Sequence, residues 1–88
     1  MARFLVECPH TQEDCLEALD SVVALSKELM NRFDWGCGED VHMGWVVVEA
    51  KDAATATMMV PTNIRSRAKA IQLSKFTPEQ VQAFHAAH

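Results

Sequence analysis

Two kinds of apolar spacing along the chain predict its first two elements. Residues 3–8, RFLVEC, are β-prone, and they stop at Pro9, which has no N–H to give to a β-ladder. From residue 12 to residue 31, apolar side chains return at a helical spacing, at Leu16, Leu19, Val23 and Met30. The pattern therefore predicts a short strand followed by a long helix, with this apolar stripe facing the core.

The same two patterns continue through the middle of the chain. Residues 33–37 and 42–50 are strand-like runs, and the glycine-containing link between them has the length of a hairpin loop. Asp52 is a suitable N-cap for a short helix through Met59, which Pro61 ends because the residue before a proline is driven out of the α region. A β-hairpin and a short helix are therefore predicted.

The last part of the chain predicts one more strand and one more helix. Residues 68–76 form the fourth strand-like run. Thr77, Pro78 and Gln80 then combine an N-cap, a proline at the first helical position and a capping-box glutamine. We expect the final helix to turn Val81 and Phe84 toward the core.

This order predicts a single α+β domain over residues 1–88, a ferredoxin-like βαββαβ fold with an added C-terminal helix. Right-handed crossovers give an antiparallel sheet of order 4-1-3-2. Helices cover only one face of such a sheet. Alternation along the strands places the following residues on the open face: Leu5, Glu7, Trp35, Trp45, Val47, Glu49 and Gln72. This apolar patch is too large for a soluble monomer to leave in water, so we expect a second sheet to cover it.

The layout of the chain resembles that of a known group of small proteins. It has a short strand, a long helix, a tryptophan-containing hairpin (Trp35, then residues 44–50, GWVVVEA), a short helix ending at Val60 and Pro61, and a last strand. In these features it is similar to the dimeric α/β-barrel superfamily, and to muconolactone isomerases within it. The resemblance implies a homodimer in which two sheets pack face to face. The resemblance does not identify any active-site residues.

Composition excludes several classes of partner. The chain has 88 residues and a net charge of -4, and its basic residues form no stripe that would bind nucleic acid. The first apolar run, residues 4–6, is broken by Glu7 and is too short for a signal peptide or a membrane span. Three cysteines, an odd number, indicate reduced thiols rather than disulfides. We therefore expect a cytoplasmic protein with no membrane partner.

The cysteines and two of the histidines are predicted to gather at one end of the sheet. Strand order brings the residues after strand one, Cys8, His10 and Cys15, close to the hairpin residues Cys37 and His42. Sulfur and imidazole nitrogen are ligands that zinc, copper and iron accept. The prediction is a site made of His10, Cys37 and His42 that holds a metal ion or small ligand. Cys8 and Cys15 are interpreted as small core residues, and the alternative is that the whole cluster is structural.

A second hypothesis is an enzyme, an isomerase or lyase acting on a small organic acid. A carboxylate enclosed by an apolar barrel is desolvated and can move protons, so Glu7 or His42 would be the base. Arg65 or Arg67 would orient the substrate carboxylate, and Trp35, Trp45 and Gln72 would line the cavity. A third hypothesis is an interaction module without chemistry. Metal content distinguishes the first hypothesis from the others, and a ligand-sized cavity distinguishes the second from the third.

Overall fold

The computed structural model describes residues 1–87, in which a four-stranded antiparallel sheet carries helices on one face. The strands are β1 (Ala2–Pro9), β2 (Asp34–Trp35), β3 (Met43–Ala50) and β4 (Lys69–Gln72). The helices are α1 (Cys15–Leu25), α2 (Lys27–Arg32), α3 (Ala53–Thr57), α4 (Thr62–Arg65) and α5 (Pro78–Ala87). The strand order, β2-β3-β1-β4, is the predicted order read from the opposite edge, so the α+β class and the sheet topology are confirmed.

β1 lies in the centre of the sheet and pairs with β3 along its whole length and with β4 over four residues. Its side chains alternate as predicted: Phe4, Val6 and Cys8 are buried under the helices, while Leu5 and Glu7 point to the open face. The core between the sheet and the helices consists of these three residues with Ala18, Val22, Phe33, Val46, Val48, Ala50, Ala56, Val60 and Ile64. The alternation thus gives the sheet one covered and one open face.

Two residues predicted on the open face lie on the covered face instead. Residues directly opposite each other in an antiparallel pair share a face. Gln72 pairs with Phe4, which is buried under the helices, so its predicted position on the open face is wrong. Trp35 pairs with Gly44, which itself pairs with Cys8, and the Trp35 ring stacks on buried Phe33 with centroids 5.0 Å apart. The open face instead carries Leu5, Glu7, Trp45, Val47, Glu49 and Ile71.

The long helix predicted over residues 12–31 is two helices. Ser26 is extended (φ −168°), and its hydroxyl accepts a hydrogen bond from the Leu29 N–H at 3.1 Å, so it caps the start of α2. The predicted inward stripe is wrong for Leu16 and Val23, which are exposed, whereas Met30 packs against the core; the buried side chains of α1 are Ala18 and Val22. Cys15, at the start of α1, is three residues before Ala18 and therefore shares that inward face.

The segment between β3 and β4 contains one helix more than predicted. Asp52 caps α3 as expected and accepts the Thr55 N–H at 2.7 Å; hydrogen bonds from the side chain and backbone of Thr55 lower the pKa of this carboxyl. After Pro61 the chain turns into α4 rather than running straight into a strand. The Arg65 guanidinium at the end of α4 donates to the carbonyl oxygens of Met58 and Val60 at 3.1 and 3.0 Å, and so ties α4 to the end of α3.

The C-terminal helix begins as predicted but packs differently. Thr77 and Gln80 form a reciprocal capping box, with the Gln80 N–H on the Thr77 hydroxyl at 3.1 Å and the Thr77 N–H on the Gln80 carbonyl at 2.8 Å. However, Val81 and Phe84 are 42% and 49% exposed, so the prediction that they turn inward is wrong. β4 ends at Gln72 instead of residue 76. The residues between the end of β4 and the start of α5 lead this helix away from the sheet. Within residues 1–87, no helix has both the length and the apolar character to cross a bilayer.

Candidate metal centre

Three separate segments meet at one end of the sheet, on its covered face. His10 directly follows β1, and its N–H donates to the His42 carbonyl at 3.2 Å, which extends the pairing of β1 with β3 by one residue. Cys15 is the first residue of α1, and Cys37 begins a short 3-10 turn between β2 and β3. Backbone pairing and the inward face of α1 therefore bring together residues up to 32 positions apart in the sequence.

Four side chains in this region place their donor atoms close together: those of His10, Cys15, Cys37 and His42 all lie within 4.8 Å of one another. The shortest contact joins the Nε2 atom of His10 to the Sγ atom of Cys37 at 3.1 Å. His10 is buried and the other three are partly buried. In a tetrahedral zinc site the donor atoms are about 3.4–3.8 Å apart, given metal–ligand distances of about 2.1 and 2.3 Å. For all four to bind one ion, the widest pair would contract by roughly 1 Å and the His10–Cys37 pair would lengthen by roughly half an ångström.

The hairpin loop is folded back on itself, which turns Cys37 and His42 toward each other. The Gly36 N–H donates to the Met43 carbonyl, and the Gly36 carbonyl accepts the Val41 N–H, both at 3.0 Å. This packing leaves no room at Gly36, where a Cβ would lie 2.7 Å from the Val41 carbonyl oxygen and 2.9 Å from its Cβ. At Gly38, by contrast, a Cβ would meet nothing within 4 Å. The geometry of the loop therefore depends on Gly36 and not on Gly38.

We expect Gly36→Ala to weaken metal binding by at least tenfold while Gly38→Ala leaves it nearly unchanged. The added methyl group at residue 36 must push Val41 away, and overpacking of this kind costs about 1–3 kcal/mol, which displaces Cys37 relative to His42. Zinc titrations of both variants by calorimetry measure the effect. Equal affinities for the two variants would show that the loop does not set the geometry of the site.

The electrostatics of the cluster favour a bound cation. Burial raises the pKa of the Cys37 thiol, and the neighbouring Cys15 thiol raises it further through a hydrogen bond and charge repulsion. Two thiols this close cannot both become thiolates without a positive charge between them. In addition, the Nδ1 atom of His42 is buried without a hydrogen-bond partner among residues 1–87, whereas the His10 nitrogen that contacts Cys37 is Nε2. A metal ion would stabilise the thiolates and accept a lone pair that the protein leaves unpaired.

The two cysteines that were interpreted as core residues differ in the structure. Cys8 is 1% exposed, packs in the core and has its pKa raised to about 11 by burial, so the interpretation is confirmed for Cys8. For Cys15 it is wrong, because its thiol lies in the cluster and is partly exposed. The signal that places Cys15 is its helical spacing to Ala18 and Val22, which marks it as inward-facing at the end of α1 nearest the hairpin.

The other predicted site residues do not join the cluster, apart from Trp35. The Trp35 ring lies beside His10, with centroids 6.0 Å apart, and closes one side of the cluster. Glu7 and Trp45 lie opposite each other on the open face, so Glu7 and His42 are on different faces of the sheet. The two residues predicted as alternative bases therefore do not share one site.

The remaining predicted ligand-binding residues are also dispersed. Gln72 is exposed at the end of β4, and Arg67 is exposed after α4. Arg65 uses its guanidinium to bind the carbonyl oxygens of Met58 and Val60. Arg65, one of the two alternatives for orienting a substrate carboxylate, therefore binds backbone carbonyl groups in the single chain.

A cleft of about 590 Å³ lies on the open face of the sheet. Its walls include Arg3, Leu5, Trp45 and Val47, and the Arg32 guanidinium at its rim donates to the Val47 carbonyl at 2.7 Å. None of the four cluster residues lines this cleft. The cleft and the cluster are thus separate features on opposite faces of the sheet.

Comparison with known proteins adds no assignment: no protein-family model, no curated protein and no solved structure matches this chain.

Proposed function

We propose that the chain is a cytoplasmic, homodimeric metal-binding protein that holds one zinc ion with His10, Cys15, Cys37 and His42. The observation that carries this proposal is the convergence of four nitrogen and sulfur donors, within 4.8 Å of one another, from three separate segments. Two imidazoles and two thiolates are the donor set of tetrahedral structural zinc sites. Compared with the set predicted from the sequence, Cys15 supplies the fourth ligand.

The donor types restrict the ion. Magnesium and calcium prefer oxygen ligands, whereas this cluster offers only nitrogen and sulfur. Copper(I) and iron also accept thiolates, but four donors of mixed type match zinc, which favours tetrahedral coordination. Because four protein ligands fill the coordination shell of zinc, no position is left for a substrate, and the proposed role is binding rather than catalysis.

Protection of the thiols by zinc tests the proposal. In the metal-free protein at pH 8, a maleimide reagent should label Cys15 and, more slowly because of its raised pKa, Cys37. One equivalent of zinc should abolish both reactions, and a chelator should restore them. Cys8 is an internal control, since its burial and its pKa of about 11 keep it unlabelled until the protein is denatured. Labelling of Cys15 and Cys37 that is unchanged by zinc, or equally reduced by magnesium, would contradict the proposal.

The proposed dimer forms through the open face of the sheet. Leu5, Trp45, Val47 and Ile71 give this face an apolar centre, with Val47 and Ile71 more than a third exposed in the single chain. The same face carries charges of both signs, because Arg3 is paired in register with Glu49 and Glu7 with Lys69, and Asp34 lies opposite Trp45. A two-fold axis can therefore set acidic residues of one copy against basic residues of the other. The resemblance to dimeric α/β-barrel proteins supports the same arrangement.

The two alternative functions have less support. The acid–base enzyme required Glu7 in a ligand-sized cavity, but Glu7 does not line the 590 Å³ cleft on its own face of the sheet. An interaction module without chemistry gives no reason for two imidazoles and two thiols at one point.

A further inference from the structure

An acidic side chain outside the four-residue cluster contacts one of its histidines. The Oδ1 atom of Asp40 lies 3.0 Å from the Nε2 atom of His42. Asp40 is 86% exposed, whereas His42 is 24% exposed and turns the other edge of its ring into the protein. The carboxylate therefore binds one nitrogen of a ring whose other nitrogen, Nδ1, is buried in the protein.

This contact decides which nitrogen of His42 carries the proton. A carboxylate accepts hydrogen bonds and does not donate them, so Nε2 carries a proton, and in the neutral ring Nδ1 then carries the lone pair. The Nδ1 atom is buried and has no hydrogen-bond partner within residues 1–87. A buried acceptor without a partner is destabilising, so a lone pair held in this position is explained if it binds a cation.

The backbone of the loop also indicates a specific role for Asp40. Its φ of 62° and ψ of 25° place it in the left-handed region, and it is the one non-glycine residue with a positive φ in the described part of the chain. Aspartate tolerates this region better than most residues, but glycine would occupy it without steric cost. The conformation ends the 3-10 turn and directs the carboxylate back toward His42, two residues further along.

We propose that Asp40 is a positioning residue that holds His42 as the Nε2–H tautomer, so that His42 binds the metal ion through Nδ1. This inference rests on the metal-binding function proposed above. A carboxylate bound to the outer nitrogen of a histidine fixes the orientation of the ring and increases the basicity of the ligating nitrogen. Asp40 would therefore tune the affinity of the site without touching the ion.

Three variants separate this role from a structural role of the loop. Asp40→Gly removes the carboxylate and keeps the left-handed backbone free of strain, and we expect zinc affinity to fall by roughly 10- to 100-fold. Asp40→Asn keeps an acceptor oxygen and tolerates the same backbone, so its loss should be smaller than that of Asp40→Gly. Glu39→Ala removes the adjacent exposed acid and serves as the control for net charge, with affinity expected to change by less than about threefold.

Nitrogen-15 NMR of the imidazole rings gives a readout that a merely structural role would not change. In metal-free wild type, His42 should be the Nε2–H tautomer, and addition of zinc should shift the Nδ1 resonance while Nε2 stays protonated. In metal-free Asp40→Gly, the two tautomers of His42 should be mixed. If wild-type His42 binds zinc through Nε2, or if Asp40→Gly binds as tightly as wild type, the role of Asp40 is refuted while the metal site stands. If wild type binds no zinc, the proposed function itself fails, and with it this inference.

Discussion

Zinc at a concentration about 1,000 times its Kd is expected to raise the melting temperature of this protein by roughly 15 to 30 °C. An ion that binds only the folded state at that concentration adds about 4 kcal/mol to the free energy of unfolding. For a domain of this size, 1 kcal/mol corresponds to about 4–8 °C. The effect is large because the ion would join the end of β1, the start of α1 and the hairpin loop, three segments that the small core alone holds together.

Thermal unfolding followed by circular dichroism, with and without zinc, measures this shift. Two cysteine-to-alanine variants form a matched pair. Cys8→Ala removes a buried core thiol and should lower the melting temperature of the metal-free protein while keeping the zinc-dependent shift. Cys37→Ala removes a proposed ligand and should lose most of the shift. An equal shift in both variants, or the same shift with magnesium in wild type, would show that the stabilisation does not come from the cluster.

Trp45→Glu is expected to convert a dimer of twice the 9.8 kDa chain mass into a monomer, or to prevent folding. Trp45 lies on the open face of β3, opposite Glu7 of β1 and Asp34 of β2, so a third carboxylate there adds repulsion and removes the largest apolar side chain of the interface. Light scattering coupled to gel filtration at micromolar concentration measures the mass. A wild type that is already monomeric under these conditions would refute the dimer.

Two further variants keep this test decisive if Trp45→Glu does not fold. Val47→Glu changes a residue of the same face that is already 39% exposed in the single chain, so the monomer should tolerate it while the dimer should not. Leu16→Glu makes the same kind of change on the outer face of α1, where the side chain is mostly exposed, and should leave the dimer intact. If the two variants give the same mass, the interface does not lie on the open face of the sheet.

The sequence predicts the elements and the sheet order because those depend on local patterns and on chirality. Local sequence patterns identify several elements: the run RFLVEC, the hairpin runs around Gly38, and the capping box of Thr77 and Gln80. Once the elements are known, the right-handed crossover rule leaves one strand order. The packing of α5 has no such local signal. Its capping box fixes where the helix begins, but the exposure of Val81 and Phe84 depends on the path of the chain after β4 ends at Gln72.

The errors on the two faces of the sheet come from register. A shift of one residue turns every side chain of a strand to the other face, and short edge strands give few residues from which to infer the register. β2 has two residues and β4 has four, and these are the strands of the misplaced Trp35 and Gln72. The residues of β1 and β3, eight in each strand, were placed correctly.

The candidate site was predicted in outline because strand order alone brings His10 near Cys37 and His42. The place of Cys15 depended on which of two stripes of α1 faces the sheet. The prediction is based on the bulkier stripe, with Leu16 and Val23, but the stripe with the smaller Ala18 packs against the core. The role of Asp40 could not be read from the sequence, because it follows from a left-handed backbone angle and from a hydrogen bond within a loop.

Titration of the metal-free protein with cobalt(II), followed by optical absorption, tests the central claim most directly. Cobalt occupies zinc sites, and its spectrum distinguishes tetrahedral from octahedral coordination and detects thiolate ligands through their charge-transfer band. The proposed site predicts an end point at one ion per chain, tetrahedral d–d bands and a thiolate charge-transfer band that Cys15→Ala and Cys37→Ala each weaken and the double variant removes. Zinc should displace the cobalt and abolish the spectrum. An octahedral spectrum without a thiolate band, or one that the double variant leaves unchanged, would contradict a metal centre at His10, Cys15, Cys37 and His42.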